Sequence, residues 1–114
     1  MKLPAKYIKI GYTKYKLQIW DKLTATSNEA YGEFFQREEA IGIAGDQSGS
    51  QLVNTLLHEI MHGIVYQYNL SFDGGKDMQE EALANVMTNG LMAVFVDNPW
   101  LLPWIQKEIK ADND

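Results

Sequence analysis

The chain has 114 residues, of which 46% are hydrophobic and 22% are charged, and its net charge at pH 7 is −5. This length supports a single hydrophobic core, and the ordinary composition excludes wholesale disorder. The chain contains no cysteine, which excludes a disulfide framework and a thiolate metal site and suits a reducing compartment.

The first 22 residues are basic, with six lysines and one acidic residue, Asp21. A basic strand region can face nucleic acid, but aromatic and basic residues do not interleave here as they do in RNA-binding proteins, and the whole chain is acidic. We therefore predict a solvated strand face and no nucleic-acid partner. No run has the apolar core of a signal peptide or approaches the length of a membrane span, so we expect a cytoplasmic location and no membrane.

Residues 7–20 alternate apolar with polar side chains, which is typical of β-strands. Ile8 and Ile10 share one face, and the alternation changes phase near Gly11, so we predict two strands joined there by a tight turn or bulge. Residues 21–30 have the composition of a turn and no periodicity.

Residues 31–45, YGEFFQREEAIGIAG, predict a second hairpin, because aromatic and β-branched residues flank a charged turn. The last strand of this hairpin is small on one face at Gly42, which predicts the close approach of another backbone. All strands are therefore expected between about residues 6 and 45.

An amphipathic helix is predicted from about residue 51 to residue 68, with Ser48 and Gln51 spaced as a capping box at its start. One stripe is apolar and is expected to pack on the core: Val53, Leu56, Leu57, Ile60 and Ile64. A second stripe is polar: Gln51, Thr55, His58, His62 and Tyr66. The two histidines therefore share a face that is separate from the packing face.

Two more helices are predicted after the first. One runs from about residue 78 to residue 97, with Asp77 as its N-cap. A short one occupies roughly residues 103–111 and directs three residues towards the core: Trp104, Ile105 and Ile109. Together the elements predict one α+β domain over residues 1–114, in which a small twisted antiparallel or mixed sheet of about three or four strands packs on the helices.

The sequence HEIMH, residues 58–62, contains both histidines of the chain, one helical turn apart. Two histidines at this spacing can present ring nitrogens to one zinc ion at about 2.0–2.1 Å. Glu59 cannot reach the ion in the same geometry, but it can take a proton from a metal-bound water, whose pKa is lowered towards about 7. We predict His58 and His62 as zinc ligands and Glu59 as the general base; the alternative is two histidines that bind no metal.

Catalytic zinc usually has a third protein ligand, and in the absence of another histidine or a cysteine this ligand must be a carboxylate or be absent. We predict Glu81, because its face of the second helix is small and polar. Glu80 is the alternative ligand, but its spacing from Asp77 gives it a competing structural role as a capping-box partner. Asn85, one turn on, is predicted to orient a ligand by hydrogen bonding.

The transition-state stabiliser has two candidates by residue type. Tyr66 lies one turn past His62, and Tyr31 precedes the second hairpin. The alternative is that each tyrosine packs against its neighbours and has no role in stabilising the transition state.

Four features in chain order resemble the compact ImmA/IrrE-like metallopeptidases of phages, mobile elements and bacteria. They are the strand run with Gly11, the YGEF…AIGIA hairpin, TLLHEIMHGI, and an E-x-x-A-N sequence at residues 81–85. HEIMH followed 19 residues later by Glu81 also resembles the gluzincin arrangement, in which a helix-borne glutamate is the third zinc ligand. The resemblance spans about residues 7–95, and HExxH is its specific part.

The resemblance implies a minimal zincin-like fold and a zinc-dependent endopeptidase that binds an extended peptide or protein substrate by strand addition at the sheet edge. Residues 87–91, MTNGL, depart from the ending of the family's motif, and the chain lacks room for a helix-turn-helix domain, so repressor cleavage is not carried over. A stand-alone phage-type enzyme in the host cytoplasm is the closer likeness. The alternative function is a non-catalytic, metal-stabilised interaction or phage assembly module.

Overall fold

The structure is a computed structural model that describes residues 2–21, 31–70 and 80–112. The described residues form four strands and three helices, in the order β1 (Tyr7–Ile10), β2 (Thr13–Trp20), β3 (Gly32–Phe35), β4 (Ala40–Ala44), α1 (Gly49–Gln67), α2 (Glu80–Asp97) and α3 (Leu101–Asp112). The predicted α+β class, with a small sheet and three helices, is confirmed.

The four strands form one mixed sheet in the order β1-β2-β4-β3. β1 pairs antiparallel with β2, and β3 pairs antiparallel with β4, which confirms the two predicted hairpins. The first turn contains Gly11 at φ 61°, a left-handed backbone conformation that favours glycine. β2 and β4 run parallel. The turn predicted between β2 and β3 spans residues 21–30, of which residues 22–30 lie outside the described residues.

The core lies between one face of the sheet and α1. Ile8, Ile10 and Tyr15 on the sheet side and Leu56, Ile60 and Ile64 on the helix side are all 0% exposed. Removing each aliphatic side chain of this size from water contributes about 1.5–3 kcal/mol. This layer therefore holds α1 against the sheet along most of its length.

The opposite face of the sheet is covered in part by Trp20, which is buried. Its indole ring occupies the place that a Cβ on Gly42 would take. Phe35 packs edge-on against the same indole, with 6.2 Å between ring centroids. The prediction that Gly42 admits another backbone is therefore wrong, because the closest group at this glycine is an aromatic side chain.

The N-terminus of α1 is capped by carboxylates from α3. Ser48 is the N-cap, but its side chain makes no capping hydrogen bond, so the predicted capping box is wrong. Instead, Gly49 N–H donates to a Glu108 carboxylate oxygen at 3.3 Å, and Ser50 N–H donates to an Asp112 carboxylate oxygen at 2.5 Å. The last helix thus satisfies free N–H groups of the first and places negative charge at the positive end of its dipole.

We expect Asp112 to make the stability of the fold depend on acid pH. Hydrogen bonds from the Ser50 side chain and backbone hold the pKa of Asp112 below its ordinary value of 3.8. A carboxylate whose folded pKa is lowered stabilises the fold above its unfolded pKa, and this contribution is lost as the pH falls through the folded pKa. Asp112→Asn should therefore lower the urea midpoint at about pH 7 and have a smaller effect at about pH 3.

Asp46→Asn is the matched control for that measurement, because it removes the same charge from an exposed aspartate. An Asp112→Asn variant whose urea midpoint falls equally at both pH values would contradict the role of the charged carboxylate as a cap.

α2 ends at Asp97, as predicted, and begins at Glu80 in the described residues. Its predicted N-cap, Asp77, and its predicted first residue, Met78, lie outside them. α2 contacts α1 where a Cβ on Gly90 would lie 2.8 Å from Ile64 Cγ2. This close approach fixes the middle of α2 against the C-terminal half of α1.

α3 begins at Leu101, slightly before its predicted start, with Pro103 in the first turn, where a missing N–H removes no helical hydrogen bond. Trp104 is buried and Ile105 packs on the core, as predicted. Ile109 was predicted to face the core, and this is wrong, since it is 40% exposed at the far end of the helix. None of the helices in the described part of the chain combines the length and the apolar character needed to cross a bilayer.

Candidate metal centre

The two histidines lie together on the exposed side of α1. Fully buried Leu56 and Ile60 anchor this part of the helix, and residues four apart lie one above the other. The imidazole rings of His58 and His62 have centroids 4.8 Å apart, and their Nε2 atoms are 3.2 Å apart. The prediction that both histidines share a face away from the core is confirmed.

The separation of the two Nε2 atoms fits a shared zinc ion. Two nitrogens that are each about 2.0–2.1 Å from a tetrahedral zinc ion lie roughly 3.3–3.4 Å from one another. The observed distance of 3.2 Å is close to this value. Without a cation the same pair can form an N–H···N hydrogen bond, with one ring as donor and the other as acceptor. The separation of the two imidazole nitrogens therefore matches the separation that chelation of one cation requires.

Glu59 is directed inward, between α1 and β3. The residue is 5% exposed, and its Oε2 lies 3.2 Å from the position that a Cβ on Gly32 would take. Burial raises the pKa of Glu59; His58 and His62 act in the opposite direction, and the carboxylate of Glu33 adds to the rise. A raised pKa makes a carboxylate a stronger base, which suits a group that takes a proton from water.

Two depressions flank the histidine pair along the boundary between β3 and α1. The first has a volume of about 240 Å³ and is lined by Tyr31, Gly32, Asn54, Thr55, His58 and Glu59. The second has a volume of about 360 Å³ and is lined by Phe34, Gln36, His62, Val65, Tyr66, Asn69 and Leu70. Tyr31 and Tyr66, the two predicted candidates for transition-state stabilisation, therefore border the site from its two sides.

A buried polar pair beside the site was not predicted. Thr55, which was expected on the exposed polar stripe, is 8% exposed, because β3 packs over this turn of α1 at Gly32. Its hydroxyl donates to Gln47 Oε1 at 2.6 Å. Gln47 lies in an irregular segment and has no local sequence signal. Asn54, which lines the first depression, did have a local sequence signal, because it lies one helical turn before His58.

The predicted third ligand does not join the histidines. Glu80 and Glu81 are exposed in the first turn of α2. Within residues 2–21, 31–70 and 80–112, no group of three or more histidine, aspartate or glutamate side chains is placed to hold a metal ion. Asn85, which was predicted to orient that ligand, is also exposed. Glu81, its alternative Glu80 and Asn85 therefore stay predictions from the sequence.

Comparisons with known proteins add no relative: no protein-family model matches the chain, and no curated protein or solved structure gives a significant match. The likeness to gluzincins and to ImmA/IrrE-like metallopeptidases therefore stays a prediction from the residues of this chain.

Proposed function

We propose that the chain is a zinc-dependent metallopeptidase that hydrolyses peptide bonds. His58 and His62 hold the metal ion in this proposal, and Glu59 is the general base. The third ligand predicted from the sequence is Glu81, or alternatively Glu80, neither of which the described structure brings to the histidines. The observation that carries the proposal is the 3.2 Å separation of the two Nε2 atoms, with His58 and Glu59 lining the same depression. This combination supports a chelating pair and a general base at the edge of one depression.

Each part of the reaction has a candidate group. Zinc, when bound, supplies a Lewis acid that polarises the scissile carbonyl and activates water. The Glu59 carboxylate accepts the proton that the attacking water releases, and its inward position keeps it close to the depression. Tyr31 and Tyr66 are the candidate donors of a hydrogen bond to the oxygen that gains negative charge.

β3 is the strand that we propose as the binding edge for an extended substrate. It is an edge strand of the described sheet and lines both depressions. Ala44 N–H donates to Tyr31 C=O, so the main-chain groups of Tyr31 point towards β4. Because these groups alternate in direction along a strand, those of Gly32 and Phe34 point to the outer side. A substrate strand can pair with them beside His58 and His62.

The edge at β1 is different, because a side chain occupies its main-chain groups at Lys9. Lys9 N–H donates to Asn98 Oδ1 at 2.9 Å, and Asn98 Nδ2 donates to Lys9 C=O at 2.8 Å. Asn98 is 4% exposed and also bonds Val94 C=O at the end of α2. The edge near the histidines is therefore the better place for strand addition.

Zinc binding by the purified protein tests the first half of this proposal. We expect one equivalent of zinc and expect His62→Ala to weaken it by more than about 100-fold, since losing only a hydrogen-bond partner of a ligand costs about 10–100-fold. Gln51→Ala is the control, because it changes an exposed residue of the same helix. Metal analysis after dialysis against competing chelators gives the affinity. Equal zinc affinity of His62→Ala and wild type would contradict the proposed ligands.

Digestion of casein or of a peptide library tests the second half, with and without zinc. Zinc-dependent cleavage supports the peptidase, and the proposal places this activity in the cytoplasm. One equivalent of bound zinc without cleavage of any peptide would instead favour a non-catalytic, metal-stabilised interaction or phage assembly module.

A further inference from the structure

Gln47 connects three elements beside the candidate site. Its side-chain Nε2 donates to Tyr31 C=O at 3.0 Å and to Ala44 C=O at 2.9 Å, and its Oε1 accepts from the Thr55 hydroxyl at 2.6 Å. Gln47 is 5% exposed. Both of its N–H groups and its carbonyl are therefore used inside the protein, on the residue before β3, the end of β4 and the side of α1.

The position of β3 against α1 is tight at the point where Gln47 acts. A Cβ on Gly32 would lie 2.8 Å from Thr55 Cγ2 and 3.2 Å from Glu59 Oε2. Gln47 bonds the residue before Gly32 and also bonds Thr55, which lies one turn before Glu59 on α1. The contact between β3 and α1 sets the distance from the outer edge of β3 to Glu59. The side-chain amide of Gln47 joins the two sides of this contact.

We propose that Gln47 is a positioning residue, which holds the binding edge of β3 at the distance from Glu59 that a bound peptide requires. This inference rests on the proposed peptidase function. Gln47 itself does not line either of the two depressions and does not touch the substrate. Its loss should change the binding of extended peptides more than the proton transfer by Glu59.

Both hydrogen-bonding ends of the glutamine are needed for this role. Glutamate at position 47 would present a carboxylate to the carbonyl oxygens of Tyr31 and Ala44 and would repel both. Methionine has a similar length and shape but leaves the two carbonyls and the Thr55 hydroxyl without these partners. Gln47→Met therefore removes the connection with little change in side-chain volume.

Gln67→Met is the matched control. Gln67 is a half-buried glutamine that is also bonded through Nε2, in this case to the Thr13 hydroxyl at 3.0 Å and the Tyr15 hydroxyl at 2.6 Å. It lies at the other end of α1, and its partners are on β2. Thr55→Val is a second test variant, because it removes only the hydroxyl that donates to Gln47.

Hydrogen exchange in the metal-free protein measures the anchoring of β3 directly. The Ala44 N–H donates to Tyr31 C=O, and we expect its exchange to accelerate by about tenfold in Gln47→Met and to stay unchanged in Gln67→Met. In the zinc-bound protein, KM for an extended peptide found in the casein digest should rise by about tenfold in Gln47→Met and in Thr55→Val, with kcat changed less than twofold.

The outcomes separate this inference from the proposed function. Unchanged Ala44 exchange in Gln47→Met, with normal cleavage, overturns the role of Gln47 alone. A fall in kcat at constant KM assigns the residue to chemistry and also overturns that role. If wild type cleaves no peptide, the proposed function and the role that rests on it both fail. If Gln47→Met does not fold, the exchange of Ala44 N–H in Thr55→Val decides, because Thr55 also lines the first depression and a change in KM alone would not distinguish the two effects.

Discussion

Glu59→Gln is expected to bind zinc as wild type does and to lose peptide cleavage by roughly 100- to 10,000-fold, the range that a general base contributes. The amide has nearly the volume of the carboxylate, so it should fit the same buried place between α1 and Gly32. It cannot accept a proton from water. The variant therefore separates proton transfer from metal binding, and kcat/KM together with zinc content measures both.

Glu33→Gln is the matched control for this experiment. Glu33 is an exposed glutamate on β3 whose carboxylate acts electrostatically on Glu59. Its amide variant removes the same charge close to the site without removing the base, and cleavage should persist. If Glu59→Gln cleaved peptides at the wild-type rate with one zinc bound, the general base would have to be another group.

Gly32→Ala is expected to lower cleavage at least about tenfold and to destabilise the fold by about 1–3 kcal/mol, as overpacking of a tight contact does. The added methyl group would meet Thr55 Cγ2 at 2.8 Å and Gly42 C=O at 3.0 Å, close to Glu59 Oε2 at 3.2 Å. β3 must then move away from α1, or the Glu59 side chain must turn. Both movements disturb the alignment of a peptide with its base.

Gly42→Ala separates the two effects. Gly42 pairs with Glu33 across the hairpin, but its added methyl group would overlap the Trp20 ring on the opposite face of the sheet. This variant should also unfold at a lower temperature, yet its folded fraction should retain kcat/KM. Thermal unfolding with zinc and peptide assays at a temperature where both variants are folded makes the comparison. Equal losses of activity in both variants would mean that general instability is the cause.

The local elements of the fold were predictable, because their signals lie in neighbouring residues. Alternation marked β1 and β2, the phase change at Gly11 marked their turn, and a 3.6-residue period marked α1 with both histidines on one side. The capping of α1 was not predictable, since its acceptors, Glu108 and Asp112, are about 60 residues away on α3. The spacing of Ser48 and Gln51 predicted a capping box, but the Ser48 side chain makes no capping hydrogen bond in the folded protein.

The relative positions of site residues on one helix were predictable from the sequence. Positions that depend on how two elements pack together were not. His58, Glu59 and His62 have their relative positions set by helical geometry alone. Glu81 is nine residues before Gly90, where α2 contacts α1, or about 13–14 Å along the axis. Its distance from the histidines depends on the angle at which the two helices cross, and no local pattern sets that angle. Gln47 was missed for the same reason, because all its partners come together only on folding.

The side-chain amide of Asn98 makes the two edges of the described sheet unequal as places where another molecule can add a strand. Its two hydrogen bonds to Lys9 leave no main-chain partner there for a foreign strand. Two copies that joined through β3 would therefore place the β1 strands outermost, and a third copy would meet the occupied main-chain groups of Lys9 there. A side chain that occupies an edge strand in this way opposes the propagation of strand pairing into a fibril.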